Sequence, residues 1–73
     1  MSSNKKFRKL LKERGVKRKV LAERLGVSVR CVEYWMSGRN RPSVIYVIAM
    51  AKLFDMSIES LYAIFKEREE SGG

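Results

Sequence analysis

Histidine is absent from this 73-residue chain, cysteine and proline each occur once, and no apolar run approaches the roughly 20 residues that span a bilayer. Each absence excludes something. With no histidine and Cys31 alone, there is no zinc ligand set, no imidazole base and no internal disulfide. The glycines are scattered, so there is no glycine-rich phosphate loop either. The polar start MSSNKK lacks the apolar segment of a secretory leader. These absences make an enzyme the poorest reading and lead us to expect no metal, no cofactor, no small-molecule ligand, no membrane partner and a reduced, cytoplasmic setting. A chain of this size hides only about 60% of its unfolded surface, and with disulfides and metals excluded, a second subunit is the expected supplement to its stability.

What the chain has is positive charge, unevenly placed. Residues 1–41 carry 13 Lys and Arg against Glu13, Glu23 and Glu33, a net +10, whereas residues 42–73 carry three against five acids, a net −2. One half is built to meet a polyanion. A charge run without a motif is more often a solvated surface. Here the basic half also holds the most organised stretch of the chain, VLAERLGVSVRCVEYWMSGRNRP.

Apolar residues recur at spacings of three and four, which predicts five helices, no strand and an all-α fold. The first helix should run from about Asn4 to Arg14, the second from Arg18 to Leu25 and the third from Val29 to Ser37. The fourth should run from after Ser43 to Phe54, and the fifth from Ile58 to about Lys66. Gly15, Gly26 and Gly38 stand where left-handed terminators would end the first three, and Ser28, Ser43 and Ser57 where N-caps would begin the last three. The implied plan is a flexible arm over 1–4, one domain over 5–66 and a disordered tail over 67–73.

At 100° per residue the third helix has two chemistries. Val32 and Trp35 share one side, flanked by Cys31 and Met36; Val29, Arg30, Glu33 and Tyr34 share the other. A helix fits the major groove, where Arg30 can pair twice with guanine, Val29 can touch a thymine methyl and Tyr34 can bond a phosphate or a base edge. Glu33 either accepts from a cytosine amine or orients Arg30. Trp35 belongs to the core rather than to a base stack, while Cys31, near the N-terminal end of the helix, is open to either a small spacer's or an oxidant sensor's role.

The fourth helix is apolar nearly all round, with Val44, Val47, Ile48, Ala51 and Phe54 expected inward and Ile45, Tyr46, Ala49, Met50 and Leu53 on the other side. Such a helix needs burial on more than one side, which 73 residues cannot supply. In the fifth helix Ile58, Leu61 and Phe65 are expected inward while Ala63 and Ile64 face out. Ile45, Ala49, Leu53, Ala63 and Ile64 are therefore the candidate dimer interface.

Arg14-Gly15, Leu21-Ala22-Glu23, Leu25-Gly26-Val27-Ser28, Val32, Gly38, Pro42-Ser43, Ala51-Lys52 and Ser57-Ile58-Glu59-Ser60-Leu61 together resemble the helix-turn-helix domains of phage repressors and Cro proteins, the xenobiotic-response-element type. The resemblance runs from about Phe7 to Tyr62. It implies a compact five-helix, repressor-like domain in which helices two and three form the helix-turn-helix, Ala22 lets them approach and Gly26 makes the turn. It implies base-edge contacts from Ser28, Val29, Arg30 and Tyr34, with Glu33 nearby. Phosphate contacts are implied from the start of helix two, Lys17 and Arg18, and from the loop Arg39, Asn40 and Arg41.

The chain departs from the family's pattern twice. Lys17-Arg18 replaces a usual Thr-Gln, which adds charge and removes a capping hydroxyl. Leu11 and Met36 stand where many relatives pair Arg with Glu, and both have become apolar together, a change often neutral or stabilising for a buried pair.

The resulting expectation is a sequence-specific regulator of double-stranded DNA, a homodimeric repressor on a palindromic operator, with no ligand or cleavage domain after helix five. Repression is favoured because Lys17, Arg18 and Lys19 open helix two where activators of this fold present acids. The alternative is an antitoxin, or another interaction module, that binds a partner through helices four and five and regulates itself through DNA. A basic membrane-surface peptide is a poorer third reading, since Phe7, Leu10 and Leu11 offer little area.

Overall fold

Capping side chains, left-handed terminators and apolar stripes divide the chain as its sequence suggests, in a computed structural model that describes residues 3–66. Five helices and no strand lie within those residues: α1 (Lys5–Arg14), α2 (Arg18–Leu25), α3 (Val29–Ser37), α4 (Val44–Phe54) and α5 (Ile58–Lys66). The tail expected over 67–73 lies outside the described residues.

Three of the five starts are capped by a side-chain oxygen, from Asn4, Ser28 and Ser57. Ser28 Oγ accepts from the Cys31 amide at 3.1 Å, and Ser57 Oγ accepts from the Ser60 amide at 3.1 Å. Ser43 and Lys17 hold the N-cap positions of α4 and α2 without a side-chain bond. At the turn between α2 and α3, Gly26 has φ 73°, and a Cβ built there would meet nothing within 4 Å. Glycine is needed at that turn for its backbone conformation rather than for space. Asp55 ends α4 in the same left-handed region at φ 57°, the one described residue other than glycine to do so.

The core draws on every helix: Phe7, Leu10 and Leu11 from α1, Leu21 and Ala22 from α2, Val32 and Trp35 from α3, Val47, Met50, Ala51 and Phe54 from α4, and Leu61 and Phe65 from α5. Helix α1 packs on α3 and α5, α2 on α3 and α4, and α4 on α5. Phe7 and Phe65 tie the first helix to the last, their rings tilted at 54° with centroids 4.8 Å apart. Arg14 completes the frame, its Nη1 donating to the Phe54 carbonyl at 2.7 Å, a cation placed on the negative end of α4.

Four expectations need correction. Asn4 is not part of a loose arm: it is buried, its side-chain oxygen accepts from the Phe7 amide at 3.1 Å, and its own amide donates to the Met36 carbonyl at 2.9 Å. Its Nδ2 donates to the Ile64 carbonyl at 3.3 Å, so α1, α3 and α5 meet on one residue. In α4 the inner face is rotated from the one expected, with Met50 fully buried and Val44 60% exposed. Ile58 is 46% exposed although Leu61 and Phe65, on the same side of α5, are buried; it stands in the first turn, at the end of that stripe. Ile64 is partly buried against the core rather than outward.

Candidate nucleic-acid interface

Helices α2 and α3 pack on each other, with Leu21, Ala22, Val32 and Trp35 all in the core. That packing fixes which side of α3 remains outside. Ser28, Val29, Arg30 and Glu33 are exposed and Tyr34 is half-buried, while Cys31 and Met36 rest against the core at its margins. Leu11 is buried and Met36 half-buried in one apolar cluster, as the paired replacement of an ion pair by apolar side chains requires.

Two contacts organise the outer face. At one margin Arg18 Nη1, on the first residue of α2, lies 3.4 Å from Glu33 Oε2. Of the two roles open to Glu33, orienting Arg30 is not the one the geometry displays; its partner is Arg18. At the other margin the Arg39 guanidinium stacks 5.0 Å from the centre of the Tyr34 ring. The Tyr34 carbonyl accepts from the Arg39 amide at 2.9 Å, the Asn40 amide at 3.2 Å and the Ser37 hydroxyl at 3.1 Å. The start of the loop after α3 is thus folded back on Tyr34, through its carbonyl and its ring alike.

Lys17, Arg39, Asn40 and Arg41 are exposed, as phosphate contacts would need to be. The start of α2 also belongs to a wider basic field: Arg8 and Lys12 of α1 line an open groove with Lys17, Arg18 and Lys19, and Val29 and Glu33 line it from α3. Arg8 and Lys12 escaped the sequence reading as site residues. Their spacing of four, which places both on one side of α1, was the available signal.

The residues proposed for pairing divide differently. Ile45 is 73% exposed and Ala63 exposed, Ala49 is half-buried, and Leu53 and Ile64 are partly buried against the core. Tyr46 leans on Trp35 with ring centroids 5.7 Å apart, so it belongs to the core margin. No helix among the described residues is long and apolar enough to cross a membrane.

A family model described as Helix-turn-helix matches residues 7–61, well over half of the 73, and the chain belongs to that family of DNA-binding regulators. The resemblance to phage repressors and Cro proteins and the all-α reading therefore both hold. No curated protein and no solved structure matches the chain.

Proposed function

We propose that this DNA-binding regulator is a homodimeric repressor that reads a palindromic duplex with α3 in the major groove. The observation that carries the reading is the outer face of α3, where Arg30, Val29, Glu33 and Tyr34 stand clear of the core beside cations at the start of α2 and in the following loop. Ser28, Val29, Arg30, Glu33 and Tyr34 then address base edges, while Lys17, Arg18, Arg39, Asn40 and Arg41 set the register on phosphates. Repression follows most simply from occluding a promoter.

Pairing is supported by α4, whose outward residues Val44 and Ile45 are the most exposed large apolar side chains among those described. The contact is centred on Ile45 and Ala49, with Leu53, Ala63 and Ile64 at its edge. A twofold dimer places two copies of α3 about 34 Å apart, one turn of DNA. The same exposed pair of residues favours a second reading, in which an unlike protein covers α4 and α5 as a toxin would cover its antitoxin.

Selection from a random duplex pool, with sedimentation of the free protein, tests both. Enrichment of a palindrome and a dimer mass are expected. Absence of any enriched sequence would reject base reading by α3, and a monomer that becomes stoichiometric only with a different protein would replace the homodimer by the second reading.

A further inference from the structure

The acid on the reading face and the cation that opens the helix before it are already partners. Arg18 Nη1 and Glu33 Oε2 are 3.4 Å apart, with side chains 54% and 46% exposed. An ion pair this open to water is weakly held and can be exchanged. Lys17 and Lys19 flank Arg18 with no ion-pair partner among the described residues, so Glu33 neutralises one particular cation at that helix end. The end is also where free amides and the helix dipole favour an anion.

We propose that Arg18 and Glu33 form an exchangeable pair that couples base recognition to phosphate binding, an inference that rests on the DNA-reading role of α3 proposed above. On a mismatched sequence no base offers Glu33 a donor, and a bare carboxylate beside phosphates is repelled. Glu33 therefore keeps Arg18, and the guanidinium makes no phosphate contact. On a matched sequence a cytosine N4 amine donates to the Glu33 carboxylate, the usual carboxylate pairing in the major groove. Arg18 is then released to a phosphate beside the start of α2. Glu33 is thus a specificity-determining residue in two ways: it reads one base, and it withholds a backbone contact until that base is present.

The consequence is a difference in salt dependence, because each phosphate neutralised adds about 0.9 to the slope of log K against log salt. The experiment measures that slope for the full chain, for Arg18→Gln and for Glu33→Gln, on the selected duplex and on a random duplex, with circular dichroism confirming that each variant is folded. The wild type should show a slope about 0.9 steeper on the selected duplex. Arg18→Gln should lose that increment on the selected duplex and leave the random slope unchanged. Glu33→Gln should bind random DNA more tightly, with a slope raised by about 0.9, because Arg18 is then free on every sequence. Equal slope losses for Arg18→Gln on both duplexes would make Arg18 a standing phosphate clamp and overturn the exchange, as would Glu33→Gln with unchanged random binding. A wild type with no sequence preference overturns the DNA-reading role as well, whereas sequence preference with equal slopes overturns the exchange alone.

Discussion

Helix α3 turns Val32 and Trp35 inward and Arg30 and Glu33 outward, whereas α4 turns Val47, Met50, Ala51 and Phe54 inward and leaves Val44 and Ile45 outside. The inner faces obey one rule. Burial of apolar surface and close packing select them, and any large side chain lost there would cost stability. The outer faces answer to different solvents: one is wetted and charged, the other apolar and poorly suited to water. A helix can therefore be fixed in the fold by one side while its other side is left to choose a partner, a polyanion for α3 and an apolar surface for α4 in the function proposed here.

The comparison breaks most severely if the common core is removed. Phe7→Ala deletes a fully buried ring packed at a tilt against Phe65, and should cost about 3–5 kcal/mol in urea unfolding. Trp35 fluorescence and the overall helix signal should then fall together, since both halves lean on that contact. Separate transitions would mean that the two regions fold as independent units.

On the charged face, Arg30→Ala should cost about 1–3 kcal/mol on the selected duplex and little on random DNA, while Arg39→Ala should weaken both alike. Equal losses everywhere for Arg30 would erase the division between base-reading and phosphate-binding residues. At the turn, Gly26→Ala should cost about 1–2 kcal/mol by chemical denaturation, from the left-handed backbone alone and not from any neighbour of the new Cβ, and Gly26→Asn should cost less. A Gly26→Asn variant no better than Gly26→Ala would show that left-handed tolerance is not what the turn requires. The smallest effect is expected on the apolar face. Ile45→Asp should change the monomer's own stability by no more than about 0.5 kcal/mol yet abolish the dimer in sedimentation. A persistent dimer would move the contact away from α4.

Helix bounds were legible in the sequence because most of the signals that set them are local: a serine that caps two or three residues ahead, a glycine that turns left-handed. The inner face of α3 was legible for the same kind of reason, since Val32 and Trp35 with their flanks Cys31 and Met36 form its one uncharged side, while Arg30 and Glu33 mark the other. In α4 the pattern carries no phase. With apolar residues on every side, sequence cannot say that Met50 is inward and Val44 outward; the neighbouring helices decide it. Arg18 and Glu33 are 15 positions apart on different helices, so their pairing depends on how α2 and α3 cross and has no periodic trace. Asn4 sits among Ser3, Lys5 and Lys6, which face water, and nothing in that composition announces a buried residue.

Asn4 also joins parts of the molecule that chemistry otherwise keeps separate. Its backbone amide is bound to the end of α3 and its side-chain amide to the last turn of α5. Fraying at either helix end would strand a buried donor, which costs about 1–3 kcal/mol, so neither end can open cheaply without the other. The start of the chain therefore acts as a rivet through α3 and α5. Hydrogen exchange at the end of α3 and in the last turn of α5 should therefore rise and fall together.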